Sequence, residues 1–326
     1  MRFLEEYMRI EKLSPAFKDY LWGGTKLRDV YGKDCSYEKI AESWELSTHP
    51  AGESRISGGV HDGLTLKEYI EKNGRGVLGR NCGKFAEFPV LIKFIDAKDP
   101  LSVQVHPSDD YALKVEGEYG KTEMWVVVDA EPGASLYFGV EKPLTKDEFK
   151  ARIADNTLTE VLHKAPVKPG DVFFIEAGTI HAIGAGILIC EIQQNSNTTY
   201  RVYDYGRVGA DGKPRELHVE KAIEVSKLTP SDTADGQKAP VKVPGGEKAL
   251  LASCPYFTTE KLLVNGEMEL EADESSFVSL VITEGAGTVS GPENEVEFKA
   301  ADSLFVPAGA GTLTIKGNCT VIKTTV

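Results

Sequence analysis

The sequence predicts a mainly β protein made of two copies of one β module, with a few short helices set in and around the first copy. Three observations carry this. The stretch LSVQVHP (101–107) alternates as a half-buried strand does, with Leu101, Val103 and Val105 on one face and Ser102, Gln104 and His106 on the other. Residues 301–312 (ADSLFVPAGAGT) align without gaps on 170–181 (GDVFFIEAGTIH), and 277–291 echo 124–139, so a module repeats. Strand–turn–strand signals also dominate from residue 170 onward and again after about residue 250.

Taken in order, residues 8–45 read as extended pieces around a turn. Trp22-Gly23-Gly24 is expected to be a buried tryptophan beside a tight turn, ahead of a loop near a pocket mouth. In Glu42–Ser47 the alternation sets Glu42 and Trp44 opposite Ser43 and Glu45. Thr65-x-x-Glu68 fits a capping box and starts a helix that Gly74, Gly76 and Gly79 end. FPVLIKFI (88–95) is almost wholly apolar, as a strand covered on both faces is. That flank implies that the Gln104-x-His106 face points into a barrel or sandwich interior, where two side chains can share one metal ion, and 88–95 is expected to form a hairpin with 101–106. Ser108 is the expected N-cap of a short helix. Lys121, Glu123 and Trp125 then share one strand face.

Thr145-x-x-Glu148 is a second capping box, and Leu144–Lys164 reads as one or two short helices carrying His163 on a solvated face. The strand–turn–strand of 170–192 places His181 just after the turn and Glu191 toward its end, with Arg201 and Arg207 beyond. Pro, Gly, Lys and Asp without periodicity mark linker composition around 229–249. The expected organisation is therefore a catalytic module over 1–235, a linker over 236–249 and a second β module over 250–326. The second copy has Thr312 where the first has His181, and no histidine follows His218, so it is expected to pack against the first module without binding metal.

Composition excludes several classes. Hydrophobic residues make up 41% and charged residues 27% of the 326, the balance of a soluble globular protein. The formal net charge of −13 argues against a nucleic-acid or anionic-membrane surface, and it means that an anionic substrate needs a local basic pocket. Five scattered cysteines without a CxxC indicate neither a disulfide framework nor a zinc ribbon. The N-terminal MRFLEEYMRIEK has no apolar leader pattern, so a cytoplasmic location is expected, with no membrane and no nucleic-acid partner. The oligomeric state, monomer or dimer, is left open.

Gly170-x5-Glu176-x-Gly178-x2-His181 resembles the second metal-binding motif of the cupin superfamily, with Glu176 at the usual proline. The first cupin motif usually reads HxH with a glutamate soon after; here it is Gln104-x-His106, with Glu123 beyond a short helix. Together LSVQVHPSDDYA, GKTEMW and AGTIHAIG resemble the type I phosphomannose isomerases. The match extends to the N-terminal WGG, to STHP (His49, Pro50) and to Glu191–Arg201, roughly residues 15–210, with the spacing of the short bacterial form. The resemblance implies two cupin-type jelly-roll β-sandwich modules and one zinc ion (Zn2+) per chain, held by Gln104, His106, Glu123 and His181. It implies interconversion of mannose 6-phosphate and fructose 6-phosphate through an enediol. Arg201 matches the family's catalytic arginine; its pKa is too high for a base, which leaves it electrostatic stabilisation. Lys121 and Glu191 are candidates for proton transfer or substrate positioning, and Ser102, Lys93 and Arg207 resemble phosphate-binding positions. The family often has an aspartate four residues before the arginine, where this chain has Asn197, which cannot act as a base. A metal cupin oxygenase and a non-catalytic sugar-phosphate sensor are the alternative readings; Asn197 is the feature that favours the sensor.

Overall fold

A computed structural model describes residues 8–208, 212–231 and 238–326. Three antiparallel sheets make the fold. The first has six strands in the order Val172–Ile175, Glu123–Ala130, Ile187–Gln194, Val90–Ala97, Glu42–Leu46 and Ala16–Lys18. The second has five: Tyr200–Tyr203, Val103–Val105, His181–Ala182, Ser135–Val140 and Leu162–Pro166. These two face each other as a sandwich. The third, nine-stranded sheet holds the C-terminal module, and its central strands include Thr258–Ala272, Gly311–Thr325 and Val278–Ser290.

Period-two alternation sorts each strand of the six-stranded sheet between two cores. Ile95, Trp125, Val127, Ile187 and Ile189 point into the sandwich. Val90, Ile92, Phe94, Met124, Val126, Leu188, Cys190 and Ile192 point the other way, into a core shared with Phe257, Phe277, Val281, Phe305 and Ile322 of the C-terminal sheet. The C-terminal module thus covers an apolar face of the site-bearing module. Phe277 lies at the centre of that contact, fully buried, with its ring centroid 5.2 Å from Phe88 and 5.5 Å from Phe305. Phe277→Ala is expected to destabilise the protein by about 3–5 kcal/mol, read as a lower denaturant midpoint; an unchanged midpoint would contradict the shared core.

The two repeated stretches pair alike: Ser303–Val306 lies antiparallel to Val278–Ser290 as Val172–Ile175 does to Glu123–Ala130, and Gly178 and Gly309 both take left-handed backbone at φ 90° and 82°. Both capping boxes form, at Thr65 over the helix Leu66–Asn73 and at Thr145 over the helix Lys146–Ala154. Ser108 is the N-cap of Asp109–Val115, but its side chain makes no capping bond.

Two expectations are corrected. Val90–Ala97 and Val103–Val105 do not form a hairpin. Both edges of the first are taken, by Ile187–Gln194 and Glu42–Leu46, so the chain crosses between sheets after Ala97 and pairs 103–105 with strands of the other sheet. His163 lies on the strand Leu162–Pro166, half-buried, because pairing with Ser135–Val140 ends the helical stretch early. The strands Val241–Val243 and Gly246–Ser253 lie in or run into the stretch with linker composition. The strand Glu11–Ser14 pairs with Ser303–Val306, so the N-terminal segment joins the C-terminal sheet. The expected 235/236 boundary and the first seven residues lie outside the described residues. No described helix is long and apolar enough to cross a membrane, and the five cysteines are free.

Candidate active site and metal centre

The same alternation that fills the sandwich core builds the site. Two residues along each strand from the inward-facing Ile95, Trp125 and Ile189, Lys93, Glu123 and Glu191 project from the same face of the six-stranded sheet, and Glu191 lies directly across from Lys93 and from Trp125. From the facing sheet come Gln104 and His181, paired across strands, with Arg201 also opposite Gln104. His106 follows at the end of its strand.

His106, Glu123 and His181 are buried and bring their ligand atoms within 4.8 Å of one another. They are the one such group of three among the described residues. His106 Nε2 is 3.6 Å and His181 Nε2 3.4 Å from the Glu123 carboxylate. Each imidazole donates its Nδ1–H to a backbone carbonyl, His106 to Thr198 at 2.9 Å and His181 to Thr179 at 2.8 Å. That arrangement leaves both Nε2 atoms as lone pairs aimed at the carboxylate. His181 Nε2 and Glu123 Oε1 have no hydrogen-bond partner although fully buried. Orphaned buried acceptors are costly unless something electropositive completes them. Burial, then neighbouring charge from Lys121, holds His106 neutral, and burial lowers His181 to about 4, so both imidazoles are in the ligating form. Two imidazoles and a carboxylate are a donor set that suits zinc with open positions left over. Gln104 is half-buried and lines the adjoining cavity.

Around this centre runs a chain of buried charges. Lys121 Nζ is 2.8 Å from Glu123 and 3.7 Å from Glu191; Lys93 Nζ is 3.4 Å from Glu191 and 3.6 Å from Glu42. Burial pulls the Lys121 pKa down, but Glu123 and Glu191 outweigh it and raise it, so it is a fixed ammonium. Burial likewise pushes Glu191 up, and Lys121 and Lys93 outweigh that and keep it ionised. Glu123 is raised by burial and by Glu191, against the pull of Lys121. Glu191 Oε2 accepts the Trp125 indole N–H at 3.0 Å, while its Oε1 receives no hydrogen bond.

These groups open on a cavity of about 290 Å³, lined among others by Lys93, Ser102, Gln104, Lys121, Glu191 and Arg201. Arg201 is half-buried; its Nε donates to Ser102 Oγ at 3.3 Å and its Nη1 to the Glu216 carbonyl at 3.0 Å. Arg207 does not line this cavity. Its guanidinium is taken up by the Asp204 carboxylate and by the Pro100 carbonyl at 2.6 Å. Arg215 lines it instead, oriented by Asp204 Oδ2 at 2.7 Å from its Nε. Trp22 is both buried and on the cavity wall, so the turn and pocket-mouth readings hold together. A Cβ at Gly24 would stand 2.5 Å from the Asp96 carboxylate, so a larger residue there has to displace that side chain from its bond with the Lys26 N–H.

Sequence reasoning missed Glu42, Tyr20, Thr199 and Arg215 as cavity residues. The shared face of Glu42 and Trp44 was a usable signal, since the Trp44 indole N–H donates to Glu42 at 2.6 Å. Arg215 sits in an aperiodic stretch that carries none.

Residues 10–128 match the sequence model of the phosphomannose isomerase type I catalytic domain, and 247–326 that of the mannose-6-phosphate isomerase cupin domain. A probable mannose-6-phosphate isomerase of Bacillus subtilis is 39% identical over 94% of this chain and 96% of its own length. The mannose-6-phosphate isomerase of Streptococcus mutans is 39% identical over 88% and 89%. The crystal structure of mannose 6-phosphate isomerase from Bacillus subtilis superposes with a TM-score of 0.90 at 35% identity, covering 97% of this chain and 99% of that one. On an identity of 39% along nearly its whole length, the chain belongs to the type I phosphomannose isomerase family.

Proposed function

We propose that this chain interconverts mannose 6-phosphate and fructose 6-phosphate through an enediol, with one zinc ion held by His106, Glu123 and His181 and, more weakly, by Gln104. The observation that carries the reading is the buried His–Glu–His cluster with unpartnered ligand atoms, beside a cavity walled by cations, in a chain that is net acidic. Bound there, zinc would supply Lewis-acid polarisation of the substrate's carbonyl.

The chain's own residues do the rest. Moving a proton between C1 and C2 needs a base with a free lone pair. Glu191 is the candidate: it is ionised and its Oε1 receives no hydrogen bond, with Lys93 at 3.4 Å and Lys121 at 3.7 Å as its ion-pair neighbours. Lys121, held charged, cannot take a proton; it stabilises negative charge on the substrate oxygens and keeps Glu191 ionised. Arg201 adds a second fixed cation. Asn197 on the cavity wall takes no part in the proton transfer. The phosphate is held by Ser102 and Arg215, with Lys93 deeper in the wall and Arg207 acting through Asp204 to set the angle of Arg215.

The test of the activity is a coupled isomerase assay on mannose 6-phosphate before and after chelation. Turnover that is lost on chelation and restored by zinc supports the reading; a zinc-loaded protein that turns over no aldose phosphate overturns it. For the phosphate, Arg215→Ala is expected to raise KM roughly ten-fold or more with little change in kcat, as loss of a binding contact common to ground and transition states does. An unchanged KM would remove Arg215 from the phosphate site.

A further inference from the structure

Three side chains of the site depend on one short loop, residues 196–199. Asn197 and Thr199 line the cavity, and the Thr198 carbonyl accepts the His106 Nδ1–H at 2.9 Å. This loop is gripped from outside the cavity by Glu118. Glu118 Oε2 accepts the Thr198 hydroxyl at 2.7 Å, and Oε1 accepts the Asn197 backbone N–H at 3.3 Å. His49 completes the grip, with its Nε2 2.6 Å from Glu118 Oε1. The tautomer follows from the other side of the ring. His49 Nδ1 accepts the Ala51 N–H at 3.1 Å, so Nε2 carries the proton and donates to Glu118. Burial pushes the Glu118 carboxyl up, but the bonds from His49, Thr198 and Asn197 outweigh it and hold it below the usual range, so both oxygens accept. Within the loop, the Thr198 N–H donates to Ser196 Oγ at 3.2 Å. The Thr198 residue is thereby fixed at its hydroxyl, its amide and its carbonyl.

We propose that Glu118, itself held by His49, is a positioning residue for the metal centre. It fixes Thr198 so that the Thr198 carbonyl keeps the proton on His106 Nδ1 and presents Nε2 unprotonated toward Glu123 and His181. The same brace sets Asn197 and Thr199 on the cavity wall. Neither Glu118 nor His49 lines that cavity, so the effect passes entirely through the loop. The proposal rests on the zinc reading above.

The test uses the full chain stripped of metal. Zinc affinity is measured by competition with a chromophoric chelator, and the histidine tautomers of the metal-free protein are read from nitrogen NMR of 15N-histidine-labelled samples. Glu118→Ala is expected to weaken zinc about 10–100-fold, the scale set by loss of an outer partner of a metal-ligating histidine, and to turn the single His106 Nδ1–H tautomer into a mixture. Glu118→Gln can still accept from His49 and Asn197 and can donate its amide to the Thr198 hydroxyl. It is expected to stay within about threefold of the parent, which a purely electrostatic role for the carboxylate would not allow. Thr198→Val removes the hydroxyl arm alone and carries the test if Glu118→Ala does not fold, with an affinity loss in the same direction. Unchanged zinc affinity and an unmixed tautomer in Glu118→Ala, or in Thr198→Val where that is the folded variant, overturn the brace. So does a Glu118→Gln as damaged as Glu118→Ala. A parent protein that binds no zinc overturns the zinc reading instead, and the tautomer measurement on metal-free protein then decides the brace by itself.

Discussion

His106→Ala is expected to give a folded protein that neither retains stoichiometric zinc nor turns over mannose 6-phosphate. His106 supplies one of only two imidazoles in the cluster, and its Nε2 lies 3.6 Å from the Glu123 carboxylate. What remains is His181, Glu123 and the amide of Gln104, a set with one strong nitrogen donor where catalytic zinc ordinarily takes three protein ligands of good affinity. Lys121 makes the loss steeper. Its ammonium already sits 2.8 Å from Glu123 and 3.2 Å from His106 Nε2, and with the imidazole gone it is free to neutralise the carboxylate and compete with any cation there. The fold does not depend on the residue to the same degree, because the shared core behind the six-stranded sheet and the sandwich core are both intact without it. Two measurements separate a metal defect from a folding defect. Metal content by elemental analysis falls below one zinc per chain. Thermal unfolding loses its sensitivity to chelator, since a ligand that binds only the folded state raises stability by RT ln(1 + [L]/Kd) and an unbound one does not. A variant with full zinc content and parental turnover would remove His106 from the ligand set.

How far the sequence could be read depended on whether a residue's direction follows from local alternation or from long-range pairing. Gln104, Lys121 and Glu123 sit in or beside strands with clean period-two patterning, and they face the site as that patterning requires. Lys93 lies in a strand apolar on both faces, where alternation alone cannot say which way it points. Its direction is fixed by register against Glu191 and Trp44 from strands about 100 and 50 residues away in sequence, and that puts it inward. The expected hairpin failed for the same reason. Adjacent strands in sequence pair by default, but an edge already occupied by a distant strand is not available. His163 went astray because strand pairing at Leu162–Pro166 overrode a helical composition. Arg215 was illegible, since neither spacing nor periodicity signals a side chain that one buried aspartate swings onto a cavity wall. The His49–Glu118 contact was equally hidden. STHP stood out only as part of a family match, and Glu118 sits in a glycine-rich turn with no pattern at all.

Arg201→Ala is expected to lower kcat by about 10²–10³, or roughly 3–4 kcal/mol, while zinc content stays at the parental level. In the proposed mechanism negative charge builds on the O1–C1–C2–O2 unit as the proton leaves carbon, and a fixed guanidinium beside that unit would stabilise the transition state more than the bound sugar. Arg201 is placed for this by bonds that leave part of its fork unspent: Nε to Ser102 and Nη1 to the Glu216 carbonyl. Burial, followed by the nearby Arg215, lowers its pKa, yet an arginine has range to spare and remains charged at any working pH. Arg201→Lys is expected to recover only part of the loss, because a lysine restores the charge without the planar fork that Ser102 and Glu216 orient. Arg215 and Arg207 are the internal comparison. If Arg215 holds phosphate and Arg207 merely sets its angle through Asp204, alanine at 215 raises KM strongly and alanine at 207 raises it less, with kcat near the parental value in both. A pattern in which Arg201→Ala moves only KM while Arg215→Ala destroys kcat would exchange the two roles. If neither variant matters in a parent protein that binds aldose phosphates without converting them, Asn197 has been the telling residue and the chain is a sensor on an isomerase scaffold.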